Sequence, residues 1–243
     1  MKFFNKTRRD MLKGKRFTNY LIYALGEIIL VVLGILIALY LNNWSNKEQI
    51  IDANITLQTK VLVQLKKDIK DIDAFRKELD TLNNVYLKTL KRTYDRSKVD
   101  DGGLISTILL DVKDLGLDKQ NMNWIDNAVL DNSEASESLV NLNATYKLYF
   151  KNIDDIEKII YEKFTTNLEY LESTQPWYTI LITDFRCEND CINYLLHDEG
   201  HKARIASLRF LYSNGYGDLV NDFYFDLMRY KKKLERVMEV AAA

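Results

Sequence analysis

The sequence contains few residues that interrupt regular secondary structure. Its 243 residues include a single proline, Pro176, and nine glycines. Because proline and glycine are the strongest breakers of helices, so low a number favours long helices over a sheet protein rich in turns. The predicted fold class is therefore all-α.

The chain also lacks an excess of either charge. It has 34 lysines and arginines against 35 aspartates and glutamates, a formal net charge of -1. A balance of this kind predicts no nucleic-acid partner, because proteins that bind nucleic acids usually carry a marked basic surface. The basic charge is local instead. Residues 1–19 hold one acid, Asp10, and seven basic side chains: Lys2, Lys6, Arg8, Arg9, Lys13, Lys15 and Arg16.

Common catalytic motifs are absent as well. The sequence shows no nucleophile placed beside a base, no glycine-rich phosphate-binding loop and no HExxH metal motif. These absences favour a protein that is not an enzyme, and we expect no cofactor.

One long apolar run is present near the N-terminus. Tyr20 to Leu41 contains a single formal charge, and as a helix it would measure about 33 Å against the ~30 Å hydrocarbon core of a bilayer. A cleaved signal peptide would have a shorter apolar region followed by small residues, whereas this run ends in LNNW. We therefore predict a transmembrane helix over residues 20–42 that is retained as an anchor.

The charges on either side of this anchor predict its orientation. Residues 1–19 are strongly basic, whereas residues 42–61 contain only Lys47 and Lys60. Because basic flanks stay in the cytoplasm, we predict a basic cytoplasmic N-terminus over residues 1–19 and place the bulk of the chain on the other side. In a bacterium this means the inner membrane and the periplasm.

Six residues of the anchor follow a 3-4 spacing and share one side of the helix. We call this set the anchor face: Ala24, Glu27, Val31, Gly34, Ala38 and Leu41. Gly34 and Ala38 form a small-xxx-small step, which lets two helix backbones approach closely. The pattern predicts a transmembrane interface with another helix, either in a homo-oligomer or with a partner membrane protein.

Glu27 is the one formal charge in this run, and three interpretations of it are open. A carboxylate deep in hydrocarbon costs about 2.5–3.5 kcal/mol on insertion scales, so it usually faces protein. Glu27 could hydrogen-bond across a homo-oligomeric interface, pair with a polar group on a different membrane protein, or exchange a proton in an ion-coupled complex.

The anchor resembles a family of functionally uncharacterised proteins. The residues that carry the resemblance are Tyr23 to Ile28, Gly34 to Ala38 and Asn42-Asn43-Trp44. The family consists of single-pass inner-membrane proteins of Bacteroidota with a basic N-terminus, an anchor that opens with Gly-Glu and ends in Asn-Asn-Trp, and a helical periplasmic domain. The resemblance covers residues 1–48 and implies a lineage and a location, but no known activity, ligand or catalytic residue.

The remainder of the chain shows helical periodicity in two long stretches. Between residues 62 and 90 apolar side chains recur every three or four positions, which predicts a long helix over 43–95 that continues from the anchor and buries its apolar stripe in its own bundle. We predict a loop with short helices over 96–134, namely Leu104 to Asp114 and Asp118 to Asp131. A helical bundle is predicted over 135–243. The two long helices are predicted to pack antiparallel with the C-terminal helices, which makes the periplasmic part a bundle with long antiparallel helices.

Within this predicted bundle, periodicity indicates a helix from about Ser133 to Ser173, which Pro176 ends. Three further helices are predicted: one that begins at about Trp177, one over Lys202 to Tyr212 and one over Leu219 to Val240.

The only concentrated group of metal-binding or redox side chains lies in CENDCINYLLHDEGH. It contains Cys187, Cys191, His197 and His201, which are all the cysteines and histidines of the chain. An even cysteine count in an oxidising compartment favours a Cys187–Cys191 disulfide, while free thiols and a metal site stay open. A tetrahedral zinc site is disfavoured because the middle spacing is short, so metal binding by His197 and His201 is only a weak alternative. Taken alone, the histidines are expected at the surface.

These observations favour a membrane-anchored assembly or scaffold subunit that acts through helix–helix association and is not an enzyme. Two alternatives are retained. One is a subunit of an ion-coupled inner-membrane complex with Glu27 as the protonatable residue, and the other is a periplasmic sensor that binds a ligand between its helices.

Overall fold

The protein is all-helical, as the sequence predicts. A computed structural model describes residues 15–91, 108–118 and 122–242, and these ranges contain helices and no strand. Most of the predicted cytoplasmic segment, residues 1–14, lies outside the described residues, as do 92–107 and 119–121. The chain divides into two units, residues 1–55 and 56–243.

The described elements follow one another in the order α1 to α7, with a π-helical segment before the last helix. Their bounds are α1 Lys15–Leu90, α2 Asn123–Asp126, α3 Glu134–Thr174, α4 Tyr178–Asp184, α5 Asn189–His197, α6 Glu199–Phe210, the π segment Leu211–Tyr216, and α7 Gly217–Ala242.

The apolar stripe of α1 forms part of the core of the second unit. Val61, Leu65, Ile72 and Tyr86 are completely buried and belong to one continuous hydrophobic core with residues of α3 and α7. The prediction that this stripe packs inside its own bundle is confirmed, so it is not a free binding face for a partner.

Helix α3 begins where the sequence predicts. Ser133 is its N-cap, and the Ser133 hydroxyl oxygen accepts a hydrogen bond from the amide of Ser136 at 3.2 Å. Asp131 accepts hydrogen bonds from the backbone amide and the hydroxyl of Ser133 and from the hydroxyl of Ser136, which lower the pKa of the Asp131 carboxyl. The helix ends at Thr174, because the residue before Pro176 is biased away from helical backbone.

Helix α7 runs antiparallel to both long helices, which therefore run parallel to each other. On α1, Lys66 pairs with Glu235 and Arg76 with Asn221. On α3, Thr145 bonds Tyr230 and Tyr149 bonds Asp226. In each case a later residue of the long helix meets an earlier residue of α7.

A strap, residues 108–118, lies against these helices. This region of the structure corrects two predicted short helices. Only 108–109 are helical, and residues 111–118 have no regular structure; 104–107 lie outside the described residues. Of the predicted helix over Asp118 to Asp131, the described residues 122–131 contain only the single turn of α2; 119–121 lie outside the described residues.

The distance that the connection must cover along α1 explains why residues 111–118 are not helical. Asp111 lies near Tyr86, whose pKa is raised by burial and, to a smaller extent, by Tyr212 and the Asp111 carboxylate. Farther along, Lys60 lies 3.5 Å from the ring centroid of Trp124. The return from Tyr86 to Lys60 along α1 is about 39 Å. An extended chain from Asp111 to Trp124 covers about 43 Å, whereas a helix of those residues covers only about 20 Å.

The C-terminal region also differs from the predicted helix boundaries. The sequence predicts a gap between helices at 212 and 219, whereas α6, the π segment and α7 follow one another without a break. This stretch contains Ser213, Asn214, Gly215 and Gly217, which disfavour α-helix. The wider π turn accommodates them because Tyr212 and Tyr216 are buried there and anchor the segment to the core.

Candidate functional site

The anchor face lies on the part of α1 that belongs to the first unit. This part of α1 is apolar and long enough to cross a membrane by length and composition, and none of its most apolar window is buried. Ala24 is partly exposed, and the other five residues of the anchor face are exposed. A Cβ added at Gly34 would meet no atom within 4 Å, so this side of the helix is open to close approach.

Glu27 has no hydrogen bond or ion pair with any other part of the chain that the structure describes, and its side chain is exposed. Its neighbours along α1 are exposed apolar residues, among them Leu30 and Val31. In hydrocarbon, a carboxylate on such a surface would need a polar partner from elsewhere.

The two cysteines lie at disulfide distance. Their Cα atoms are 5.2 Å apart, and the structure joins the sulfur atoms. A turn makes this possible: α4 ends at Asp184 and is followed by Phe185, whose backbone is left-handed with φ 54°, and α5 begins at Asn189. The pair therefore spans a helix start rather than the middle of a regular helix. Cys191 is buried and Cys187 is half-buried.

We expect the two thiols to be bonded in the cell. In intact cells a small membrane-impermeant maleimide should label neither cysteine, and labelling should appear after treatment with an impermeant reductant. In the purified chain, replacing Cys187 by serine and Cys191 by alanine together should cost about 2 kcal/mol of unfolding free energy, the chain-entropy value for so short a loop. Labelling without reductant would contradict the bond.

The two histidines occupy different surroundings, and the structure corrects one of them. His197 is exposed at the end of α5, as expected, but His201 is only 1% exposed. Within residues 15–91, 108–118 and 122–242, no three or more His, Cys, Asp or Glu side chains come together as a group that could hold a metal ion. The sequence gives the wrong location for His201 because helical periodicity around it is weak, and its burial depends on contacts with other helices.

His201 lies in a cluster that the sequence does not reveal. Its ring centroid is 5.4 Å from that of Tyr194. Arg204 donates hydrogen bonds to the Tyr194 hydroxyl at 2.6 Å and to the side-chain oxygen of Asn167 at 2.9 Å, and its guanidinium lies 4.1 Å from the centroid of the Tyr170 ring. The cluster joins α3, α5 and α6.

Burial lowers the pKa of His201 to about 4, and the positive charge of Arg204 adds to this shift, while Asp198 opposes it. The Nδ1 atom of His201 and the Nδ2 atom of Asn167 are buried without a hydrogen-bond partner in the described part of the chain. A neutral imidazole is therefore the form that this cluster accommodates.

The strap is held by the two tyrosines of the π segment. The hydroxyl of Tyr212 accepts a hydrogen bond from the amide of Lys113 at 2.9 Å, and that of Tyr216 accepts one from the amide of Leu115 at 2.8 Å. Tyr216 also donates a short hydrogen bond to Glu157 on α3. Burial raises the pKa of both phenols, so they stay protonated and able to donate.

The chain was compared with known proteins in three ways. No protein-family model, no curated protein and no solved structure matches it. The functional argument therefore depends on the residues and their geometry.

Proposed function

We propose that the protein is anchored in a bacterial inner membrane by residues 20–42, with its N-terminus in the cytoplasm and its second unit in the periplasm. Three features support this placement. The first is the apolar stretch of α1. The second is the basic segment before it and the scarcity of basic residues after it. The third is the cysteine pair at disulfide distance, which suits an oxidising compartment. The maleimide experiment described above tests this compartment as well as the bond.

In this setting the protein acts as a scaffold subunit that associates through its anchor and catalyses no reaction. The observation that carries the proposal is Glu27, a carboxylate on an apolar helix that has no partner in the described chain. Hydrocarbon offers no hydrogen-bond partner, so a second helix that supplies one is strongly favoured.

The occupant proposed for the anchor face is a second copy of this chain. Two copies that cross at Gly34, where the surface is open, bring both Glu27 side chains to the same depth on facing helices. Each carboxyl group then meets a polar group instead of lipid, and the small step at Gly34 and Ala38 allows the backbones to pack closely. One interface therefore accommodates all six residues of the anchor face.

Replacing Gly34 by leucine should abolish self-association of the full chain in mild detergent. The added side chain holds the two backbones apart at the crossing point, so the interface loses its closest packing. Native mass spectrometry of the extracted complex measures the change. The matched control is Gly26→Leu, because Gly26 lies about 100° around the helix from Glu27 and outside the anchor face.

Glu27→Gln should retain the oligomer, because an amide still hydrogen-bonds across the interface. A monomeric unaltered chain, or equal loss of the oligomer in Gly26→Leu and Gly34→Leu, would contradict the proposed interface. A stoichiometric multi-pass protein in the extracted complex would instead support the heteromeric alternative, in which Glu27 pairs with that protein or exchanges a proton.

A further inference from the structure

A polar cleft opens in the second unit, between α1, the π segment and the start of α7. It has a volume of about 420 Å³ and is lined mainly by polar side chains, chiefly Asp73, Arg76, Lys77, Asp80, Asn83 and Asn221. Ligand pockets usually measure about 300–1,000 Å³. The size fits a small molecule, and the lining requires a polar one.

Contacts between helices hold the walls of this cleft in place. Arg76 donates a hydrogen bond to the side-chain oxygen of Asn221 at 2.5 Å, and its guanidinium lies 4.4 Å from the centroid of the Tyr224 ring. On the other side, the side-chain oxygen of Asn83 accepts hydrogen bonds from Arg209 and Ser213, both at 2.9 Å. The walls are therefore preorganised.

These contacts use the oxygen atom of each asparagine amide and leave the nitrogen atom available. In the described residues, neither Asn83 Nδ2 nor Asn221 Nδ2 donates a hydrogen bond. The cleft thus presents two unused donors, one from α1 and one from α7, which a ligand oxygen can accept.

The charges of the cleft are unevenly paired. Asp73 accepts contacts from both Lys77, at 2.7 Å, and Arg76, at 3.5 Å, so two cations share one carboxylate. Asp80 has no ion pair or hydrogen bond in the described chain and is exposed. It follows Lys77 by three residues and Arg76 by four, so an excess of positive charge and a free negative charge lie one helical turn apart.

The backbone beside the cleft is unusual. Ser213 belongs to the π segment. Gly217 is the first residue after that segment, and its amide donates a hydrogen bond to the carbonyl of Tyr212. A Cβ at Gly217 would lie 3.1 Å from that carbonyl oxygen. Single π turns within α-helices occur frequently at functional sites, where they reposition side chains and backbone groups.

We propose that this cleft binds an α-amino acid in its zwitterionic form. The ammonium group pairs with Asp80, and the carboxylate meets Lys77 and Arg76, with the amide nitrogens of Asn83 and Asn221 as further donors. An α-amino acid carries its two charges a few bonds apart, which matches groups spaced by one turn of α1. The site is separate from the anchor face and does not depend on the association proposed for it.

Thermal unfolding of the full chain in detergent micelles tests the proposal. Each of the twenty L-amino acids is added singly at millimolar concentration, beside its N-acetyl derivative, which lacks the ammonium, and its amide, which lacks the carboxylate. At least one amino acid should raise the unfolding temperature, and neither of its blocked derivatives should. No shift with any amino acid, or equal shifts with a blocked derivative, overturns the proposal.

Substitutions then locate the bound molecule. Asp80→Asn and Lys77→Gln should each weaken the titrated affinity on the order of tenfold, because each removes one charge pair. Asp71→Asn and Lys70→Gln are the matched controls, because both residues are exposed on α1 and do not line the cleft. Unchanged affinity in Asp80→Asn, or equal weakening in the controls, would place the ligand elsewhere.

Discussion

Replacing Phe223 by alanine should cost about 3–5 kcal/mol of unfolding free energy, the usual range for deleting a buried aromatic ring. Phe223 on α7 is completely buried. Its ring centroid lies 4.6 Å from that of Tyr149, 5.3 Å from that of Tyr146 and 6.1 Å from that of Phe150. The substitution therefore leaves a cavity between three aromatic side chains of α3, which a close-packed interior cannot fully close.

Phe225 is the matched control, two residues farther along the same helix. It is 59% exposed, and its main contacts are with Tyr224 and the guanidinium of Arg76, so Phe225→Ala should cost about 1 kcal/mol or less. Denaturant unfolding of the full chain in detergent, followed by near-ultraviolet circular dichroism, measures both. Equal losses of unfolding free energy in the two variants would mean that α7 does not pack with its Phe223 side toward the core.

The second large effect is a loss of stability in acid that depends on His201. The pKa of His201 is about 4 in the folded protein against about 6.5 in an unfolded chain. Above pH 6.5 both states are neutral and this group has no effect. As the pH falls from 6.5 to 4, only the unfolded chain takes up the proton, so unfolding becomes more favourable. The accumulated loss should reach about 3 kcal/mol at pH 4.

His201→Phe should remove this contribution, because a benzene ring fills similar space and takes up no proton. The quantity to measure is the difference in unfolding free energy between variant and unaltered chain at pH 7 and pH 4.5. His197→Phe is the control, because it changes an exposed imidazole and leaves the buried cluster intact. A difference that does not vary with pH would contradict a neutral buried His201.

This comparison of variants is necessary because another buried group acts in the opposite direction. Burial raises the pKa of Asp68, although the hydrogen bonds from Tyr146 and Gln64 lower it in part. The folded state therefore keeps a proton on Asp68 that the unfolded chain has released, so this group contributes more stability as the pH falls. The contribution of Asp68 is the same in both chains, so it cancels when the unfolding free energy of the variant is subtracted from that of the unaltered chain.

The long helices could be predicted because their signal is local. The apolar stripes of α1 and α3 are patterns within one helix, and burial of either stripe requires only that another apolar surface be present. The long apolar helix near the N-terminus was predictable for the same reason, because its length and composition are properties of a single segment.

The strap and the polar sites could not be predicted in the same way. The sequence from 104 to 131 has helix-forming residues, but the connection must cover the length of the bundle, and that distance is a property of the packed helices. The donors of the cleft come from positions more than a hundred residues apart, as in the contact of Arg76 with Asn221. His201 likewise packs beside Tyr194 of another helix, and no periodicity indicates that contact.

The bonds of the strap also fix an order of events in biosynthesis. The amides of Lys113 and Leu115 find their tyrosine partners 99 and 101 residues later in the chain. A ribosome that makes the protein from its N-terminus has therefore completed α1 and the strap long before residues 212–216 exist. Until then the amide of Lys113 lacks its tyrosine partner, whereas that of Leu115 can already donate to the Glu157 carboxylate 42 residues farther on. The strap therefore gains its full set of contacts only after residues 212–216 have been made.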